Sequence, residues 1–333
     1  MMTRPTGLPD AALVDALAAE LELPVVSLEY LTIGFGSHHW RAVDADDRPW
    51  FVTVDDVVAK RRARDEDATT VFERLRAALT SANDLRDSGA GFVVAPLPGR
   101  TGTMVQRISD RFALALYPFL DGVTANGEYG SADDRHAVLE MVTTIHAVPR
   151  TVTPVAQVDE CALVNLDELV CALDELAVPW EQGPYAERAR ALLDQHAHEV
   201  VRALEHYALL ATEARDHPDR MVLTHGEPHV ENVLVTPTGM RLIDWDTTLI
   251  APPERDLWML DPGDGTVIAS YVGATGTPLL PSMLDLYRLR WDLSEIAIYI
   301  ARFREPHGDD ADTAECWKNL RLFLDPTRWS TPG

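Results

Sequence analysis

Apolar and polar positions along the 333 residues fall into two regimes. In the first, short runs rich in β-branched and aromatic side chains alternate with turns. Val25 to Leu31, His39 to Val43 and Trp50 to Val54 are such runs, separated by Gly34-Phe35-Gly36-Ser37 and by Asp44-Ala45-Asp46-Asp47. This pattern predicts an antiparallel sheet. A short amphipathic helix over 10–22, opened at Asp10 and stopped before Pro24, precedes it. Residues 65–87 follow it with a helical period, placing Val71, Leu75, Leu79 and Ala82 on one face. Two further strands are expected at Thr103–Ile108 and Phe112–Leu116.

Past Tyr117-Pro118-Phe119-Leu120-Asp121-Gly122 the period changes. Ser131 and Asp134 make a capping-box pattern that opens a helix to about His146. Long helical patterns cover 160–177 and 184–214, and another runs from Met283 to Arg304 with Tyr287, Trp291 and Ile298 among its apolar positions. Inside this helical part, Met221–Thr224 is a short strand before an irregular polar segment. Val233–Val235 and Met240–Ile243 flank a Thr-Pro-Thr-Gly turn as a hairpin. No internal repeat or low-complexity tract interrupts the pattern. The expectation is an α+β chain in two lobes. Residues 1–120 form a small lobe with an antiparallel sheet and helix, and residues 121–333 a larger, mostly helical one.

Charge narrows the partners. The formal charge at pH 7 is −24, from 53 acidic against 29 basic side chains. Nucleic-acid phosphates are held by clustered Lys and Arg, so this balance argues against nucleic acid and favours a small cationic molecule. Only two basic residues are lysines, Lys60 and Lys318. No apolar run approaches the roughly 18 residues of a membrane span, so no membrane partner is expected. The N-terminal stretch is polar and broken by Pro5 and Pro9, which predicts no secretory signal. Three cysteines, Cys161, Cys171 and Cys316, form no C-x-x-C pair. Reduced thiols in a cytoplasmic protein is the reading these features give, with Cys161 and Cys171 as small buried hydrophobes.

The chemistry concentrates in Leu223-Thr-His-Gly-Glu-Pro-His-Val-Glu-Asn232 and Leu242-Ile-Asp-Trp-Asp246. A strand delivers a polar loop carrying His225, Glu227 and Asn232, and a hairpin returns Asp244. Carboxylate and amide oxygens suit Mg²⁺, a hard cation that also takes nucleotide phosphate oxygens. A separate carboxylate beside them can orient a hydroxyl nucleophile. The residues point to metal-assisted phosphoryl transfer.

The segment His225-Gly226-Glu227-Pro228-His229-Val230-Glu231-Asn232, followed by Ile243-Asp244-Trp245, resembles the H-G-D-x-H-x-x-N and I-D-W pattern of the aminoglycoside phosphotransferase and choline kinase-like family. That family has a protein-kinase-like fold. The resemblance implies ATP, with GTP as an open alternative, and Mg²⁺. It gives Glu227 the catalytic-base position and makes Asn232 and Asp244 the metal ligands. Pro253 and Asp256-Leu257 resemble the family's P-x-x-D-L segment, with Asp256 as a brace for the loop. Gly34, Phe35, Gly36 and Ser37 lie where the phosphate-covering loop is found, since free backbone N–H groups cradle phosphate oxygens. Tyr117 to Gly122 takes the place of the interlobe hinge, with adenine on the Pro118 carbonyl and the Leu120 N–H, and with Leu234 and Ile243 as apolar walls. The acceptor implied is small and hydroxylated: a cationic antibiotic of aminoglycoside or aminocyclitol type, or an amino-sugar or choline-like metabolite.

Two positions depart from the family pattern. Glu227 replaces Asp, and Thr53 stands where a third-strand lysine contacts the α- and β-phosphates. Lys60 is the lysine of this lobe that can substitute, Arg61, Arg62 and Arg64 are neighbouring cations, and Glu66 or Glu73 is the expected acidic partner. These departures keep open a second reading, a nucleotide-binding pseudokinase acting as a binding module. A third, a zinc-dependent hydrolase built on His225 and His229, is disfavoured because Pro228 breaks the helix such a site needs. Instead, the two histidines are expected to orient loop backbone. Asp246 and Glu231 read as solvated loop acids. The helix around Trp291, Asp292 and Glu295 lies where the family lines its acceptor cleft, with its aromatics expected in the core.

Overall fold

The computed structural model describes residues 1–124 and 129–328. Its first helix, α1 (Asp10–Leu21), leads into β1 (Val25–Leu31), β2 (Ser37–Asp44) and β3 (Pro49–Asp56); α2 (Ala68–Asp87) then precedes β4 (Gln106–Arg107), β5 (Phe112–Pro118) and β6 (Val123–Thr124). Helices α3 (Ala132–His146), α4 (Leu166–Asp174) and α5 (Ala186–Arg215) come next, then β7 (Val222–Thr224), β8 (Val233–Thr236), β9 (Gly239–Leu242) and β10 (Leu249–Ala251). The chain continues through α6 (Glu254–Leu260), α7 (Thr266–Thr275), α8 (Pro281–Arg304) and α9 (Ala311–Phe323).

An antiparallel five-stranded sheet, in the order β1-β2-β3-β5-β4, dominates the N-terminal part, and helices the C-terminal part. Side chains alternate between the faces of a strand. Val52 and Val54 of β3, with Leu114 and Leu116 opposite, pack on Leu13 and Leu17 of α1 and on Trp40. Thr53 and Asp55 therefore face the other way, with Ser37 opposite Asp55 and His39 opposite Thr53. On that side Ala113 and Ala115 join a core that runs from Val71, Leu75 and Leu79 of α2 to Val233, Leu242 and Trp245. This shared core sets the cleft face of the sheet over the β8–β9 hairpin. The long helices α5 and α8 close a further core through Leu193, Val200, Ile296 and Ile300. Among the described residues no helix is long and apolar enough to cross a membrane.

Three expected elements are shorter than their patterns. The helix expected over 65–87 starts at Ala68, because the Asp67 carboxylate caps it by accepting from the Thr69 and Thr70 amides, both at 2.9 Å. Such a cap contributes about 1 kcal/mol. The helix expected over 160–177 shrinks to Leu166–Asp174, since Cys161 and Asn165 adopt left-handed backbone at φ 54° and 53°. The strand expected at Thr103–Ile108 keeps only Gln106–Arg107, because the Thr103 carbonyl is turned to the Gly99 amide at 2.8 Å and the Gln106 side chain at 2.7 Å.

Candidate active site

Strand β7, paired with β10, carries the chain into the loop at His225. A single turn over Val230–Asn232 returns it to β8, and the β8–β9 hairpin delivers Asp244 beside Asn232 through an Ile243 amide that donates to the Asn232 carbonyl at 3.0 Å. Asp244 itself has φ 65°, a left-handed conformation that aspartate tolerates better than most residues. The loop is rigid from behind. Asp256, fully buried, accepts from the His225 amide at 2.9 Å and the Gly226 amide at 2.6 Å. His146 stands 3.1 Å from the same carboxylate and 2.9 Å from the Tyr271 hydroxyl. Burial works to raise the Asp256 pKa, but the His146 contact and the Arg255 charge hold it below the usual carboxylate range. The brace expected at Asp256 is present; His146 and Tyr271 behind it carry no sequence signal.

Around this loop the structure brings Glu227, Asn232 and Asp244 together. Asn232, buried, donates through Nδ2 to the Glu227 carbonyl at 3.0 Å, which leaves its side-chain oxygen for another partner. The Glu227 carboxylate is half-buried, 3.7 Å from His229 Nε2. Asp244 opens to the water of the cleft, yet protein crowds it on several sides. Burial, with the Asp246 and Glu227 carboxylates alongside, holds its pKa well above the usual range. Asp55, Glu227, Asp244 and Asp246 face a single ammonium, Lys60, whose Nζ lies 2.5 Å from both Asp55 and Asp246. Burial opposes the Lys60 charge, but those two carboxylates keep it protonated well above the ordinary lysine range.

That excess of negative charge, and the free Asn232 oxygen, fit a hard divalent cation. Among the described residues no three His, Cys, Asp or Glu side chains converge as a metal site. Mg²⁺ does not require it: one or two protein oxygens, waters and substrate phosphates complete its shell. Zinc fits poorly, because both nitrogens of His225 are engaged. Nδ1 accepts from the Glu227 amide at 3.2 Å and Nε2 faces the Ile243 carbonyl at 2.9 Å. His225 thus orients backbone as expected, whereas His229 turns to side chains, Asn232 Nδ2 at 3.3 Å and Glu227.

The expected nucleotide residues sit as follows. Gly34 and Gly36 have φ 66° and 89°, which the turn requires and glycine supplies. The exposed ring of Phe35 reaches Tyr299 of α8 at 6.3 Å, and the Ser37 hydroxyl donates to Asp55 at 2.6 Å. Tyr117, Pro118, Leu120, Leu234 and Ile243 are half-buried, and Leu234 packs so tightly on Gly122 that a Cβ there would come within 2.8 Å. The Leu120 amide makes no hydrogen bond among the described residues. Pro118 and Leu120 also border a pocket with Arg86, Val94 and Arg241, in which Leu234 and Ile243 take no part.

Neither Glu66 nor Glu73 meets Lys60; Glu66 is taken by Arg74, and Glu73 by Arg76. Asp246 is no solvated acid but half of the Lys60 pair, while Glu231 is exposed as expected. Cys171 is exposed, not buried, because it lies on the outer face of α4, whereas Cys161 and Cys316 are buried. Trp291 is only half-buried, packing on the core at one side and lying 6.4 Å from the His229 ring at the other. Asp292 pairs with Arg328, and Glu295 accepts from the Tyr299 hydroxyl at 2.5 Å.

The phosphotransferase enzyme family matches residues 29–293. Protein StrN of Streptomyces griseus is 34% identical over 257 residues, spanning 73% of this chain and 75% of its own. The crystal structure of spectinomycin phosphotransferase APH(9)-Ia with ADP and spectinomycin superposes with a TM-score of 0.72, at 16% identity, over 95% of this chain and 96% of that one. Choline kinase LicA from Streptococcus pneumoniae gives 0.54, at 14% identity, over 95% and 98%. At such identities the two structures establish the protein-kinase-like, two-lobed fold.

Proposed function

The chain belongs to the phosphotransferase enzyme family, and from that premise we propose that it moves the γ-phosphoryl group of ATP, or of GTP in its place, to a hydroxyl of a small cationic acceptor. The carrying observation is the Glu227–Asn232 pair, joined by a 3.0 Å hydrogen bond within a loop that Asp256 clamps. Glu227 orients the acceptor hydroxyl and takes its proton as the acceptor oxygen bonds to phosphorus and the bridging oxygen leaves with ADP. Asn232 and Asp244 hold Mg²⁺, which when bound neutralises charge on the phosphates. The hinge over 117–122 receives the base, with the unpaired Leu120 amide as a donor to it.

The acceptor class follows from what faces the loop. Glu295 is near enough to Glu227 for their charges to interact, and Trp291 and Tyr299 share its helix. Carboxylates beside aromatic faces suit ammonium groups. An aminocyclitol or aminoglycoside fits this lining, in keeping with the spectinomycin bound by the structural relative, and so does an amino-sugar or choline-like amine. The rival reading, a nucleotide-binding module without turnover, draws on Thr53 at the third-strand position.

Mg²⁺-dependent ATP consumption across a panel of these amines, with wild type beside Asp244→Ala and Glu227→Ala, tests the proposal. Turnover with one acceptor, lost in both variants, supports it. Tight Mg·ATP binding with no turnover on any acceptor favours the binding module, and absence of nucleotide binding overturns both.

A further inference from the structure

Resting on that nucleotide reading and deepening it, we propose that Lys60, from the turn beyond the third strand, is the cation that contacts the nucleotide phosphates. Thr53 occupies the cleft-facing position of β3 opposite His39 and Ala115, where its short side chain carries no charge. The strand runs on to Asp55 and Asp56, and Asp56 then turns the chain back. Its carboxylate accepts from the Val58 and Ala59 amides at 3.0 and 3.2 Å, its carbonyl accepts from the Lys60 amide at 3.0 Å, and Arg111 pairs with it. Lys60 is thereby aimed over the end of the strand it follows.

The backbone on either side is pinned. Arg74 of α2 donates to the Lys60 carbonyl at 2.9 Å, and the Asn165 amide, at the start of α4, donates to the Arg62 carbonyl at 2.7 Å. From this fixed base the ammonium touches three elements at once: Asp55 on β3 and Asp246 beyond Asp244, each at 2.5 Å, and the Ser37 hydroxyl at the glycine turn at 3.1 Å. These are the elements that surround the phosphates in the nucleotide reading.

The three contacts differ in kind. An ammonium has three donors, and two of them meet carboxylates that hold it in place. The third meets a neutral hydroxyl, and a charged phosphate oxygen is a stronger acceptor than a hydroxyl. Ser37 already donates to Asp55 at 2.6 Å, so it keeps a partner when Lys60 exchanges its third contact for phosphate. With 23% of its side chain still open, Lys60 is within reach of the cleft. In this arrangement Asp55 and Asp246 perform the holding that a helix glutamate performs where the lysine is on the strand, which accounts for Glu66 and Glu73 being free to pair elsewhere.

The test compares adenosine, ADP and Mg·ATP binding to the full chain by calorimetry, in wild type and Lys60→Met. Removing one charge-assisted contact is expected to weaken Mg·ATP by about 10-fold to 100-fold while leaving adenosine within about twofold. Equal losses for adenosine and Mg·ATP, or an unchanged Mg·ATP affinity, overturn the assignment. Because the variant can misfold, wild type labelled with ¹⁵N at lysine Nζ gives a second measurement. With only Lys60 and Lys318 in the chain, two ammonium signals are expected, and Lys318 is exposed on α9, paired with Glu315. Mg·ATP must move the Lys60 signal and adenosine must not; movement by both, or by neither, overturns the proposal. If adenosine, ADP and Mg·ATP all fail to bind wild type, the nucleotide reading itself falls, and this proposal with it.

Discussion

Asp256→Asn removes one charge and almost no volume, which makes it a clean probe of whether the loop is held from behind. The wild-type carboxylate is fully buried and serves three groups: the His225 amide at 2.9 Å, the Gly226 amide at 2.6 Å and His146 at 3.1 Å. Asparagine offers one carbonyl oxygen and one NH₂. If the oxygen keeps Gly226, the NH₂ points at the His225 N–H, donor against donor. An unsatisfied buried donor costs about 1–3 kcal/mol, and a charge-assisted bond is worth about 1.5–3 kcal/mol. The expected loss is therefore about 2.5–6 kcal/mol, a large share of the roughly 5–15 kcal/mol that holds a domain folded.

Two readouts follow from that number. With a urea slope of about 3 kcal/mol/M, a loss of about 3 kcal/mol moves the unfolding midpoint down by about 1 M. Because Glu227 follows Gly226 directly, a loop displaced by about 1 Å also lowers kcat by about 100-fold. Tyr271→Phe, one link further out, is expected to cost only about 1 kcal/mol and to leave kcat unchanged, since it removes a single hydroxyl contact to His146. An Asp256→Asn variant within about 0.5 kcal/mol of wild type and with full kcat refutes the brace, because such a small effect requires the two amides to have other partners.

Glu227→Asp withdraws the carboxylate by about 1 Å and is expected to reduce kcat about 100-fold with nucleotide affinity unchanged, as steady-state kinetics and calorimetry will show; equal or better turnover means the loop is not fitted to glutamate. Burial, with the Glu227 and Asp292 charges adding to it against the Tyr299 hydrogen bond, lifts Glu295 to about 7 from 4.5. The folded state therefore binds this proton more tightly than the unfolded chain, so the stability it contributes is full below about pH 4.5 and lost as pH rises through about 7. Denaturant titrations at pH 5 and pH 8 should show that decline in wild type, by up to about 3 kcal/mol, and a smaller one in Glu295→Gln. For the thiols, burial raises Cys161 and Cys316 to about 11 while Cys171 is exposed, so a colorimetric thiol reagent is expected to label one cysteine rapidly in the native protein and all three after denaturation.

What the sequence revealed and what it hid separate along a physical line. Strand β1 spans Val25–Leu31 as its pattern predicts, and Glu227, Asn232 and Asp244 meet as their spacing predicts, because each depends on local backbone geometry or on a hairpin's return. The helix expected over 160–177 is shorter in the structure because left-handed backbone at Cys161 and Asn165 interrupts it while leaving the apolar period intact. Contacts of the remaining kind depend on which distant segments the fold sets side by side. Asp246 lies 186 positions from Lys60, and Asp256 lies 110 from His146. The kinase pattern pairs such a lysine with a helix glutamate, which points to Glu66 or Glu73, yet both have partners within eight positions, Arg74 and Arg76. Glu73, on α2, meets its i+3 neighbour at little entropic cost, and Glu66, before that helix, is held by Arg74, so neither is left for a cation that must face a cleft. Asp55 has no such rival. It sits on the cleft face of a strand opposite Ser37, and Lys60 turns back toward it. The strand fixes the direction of the holding carboxylate, and the turn needs only to bring an ammonium to it. A lysine can therefore leave the third strand while its charge stays in the cleft.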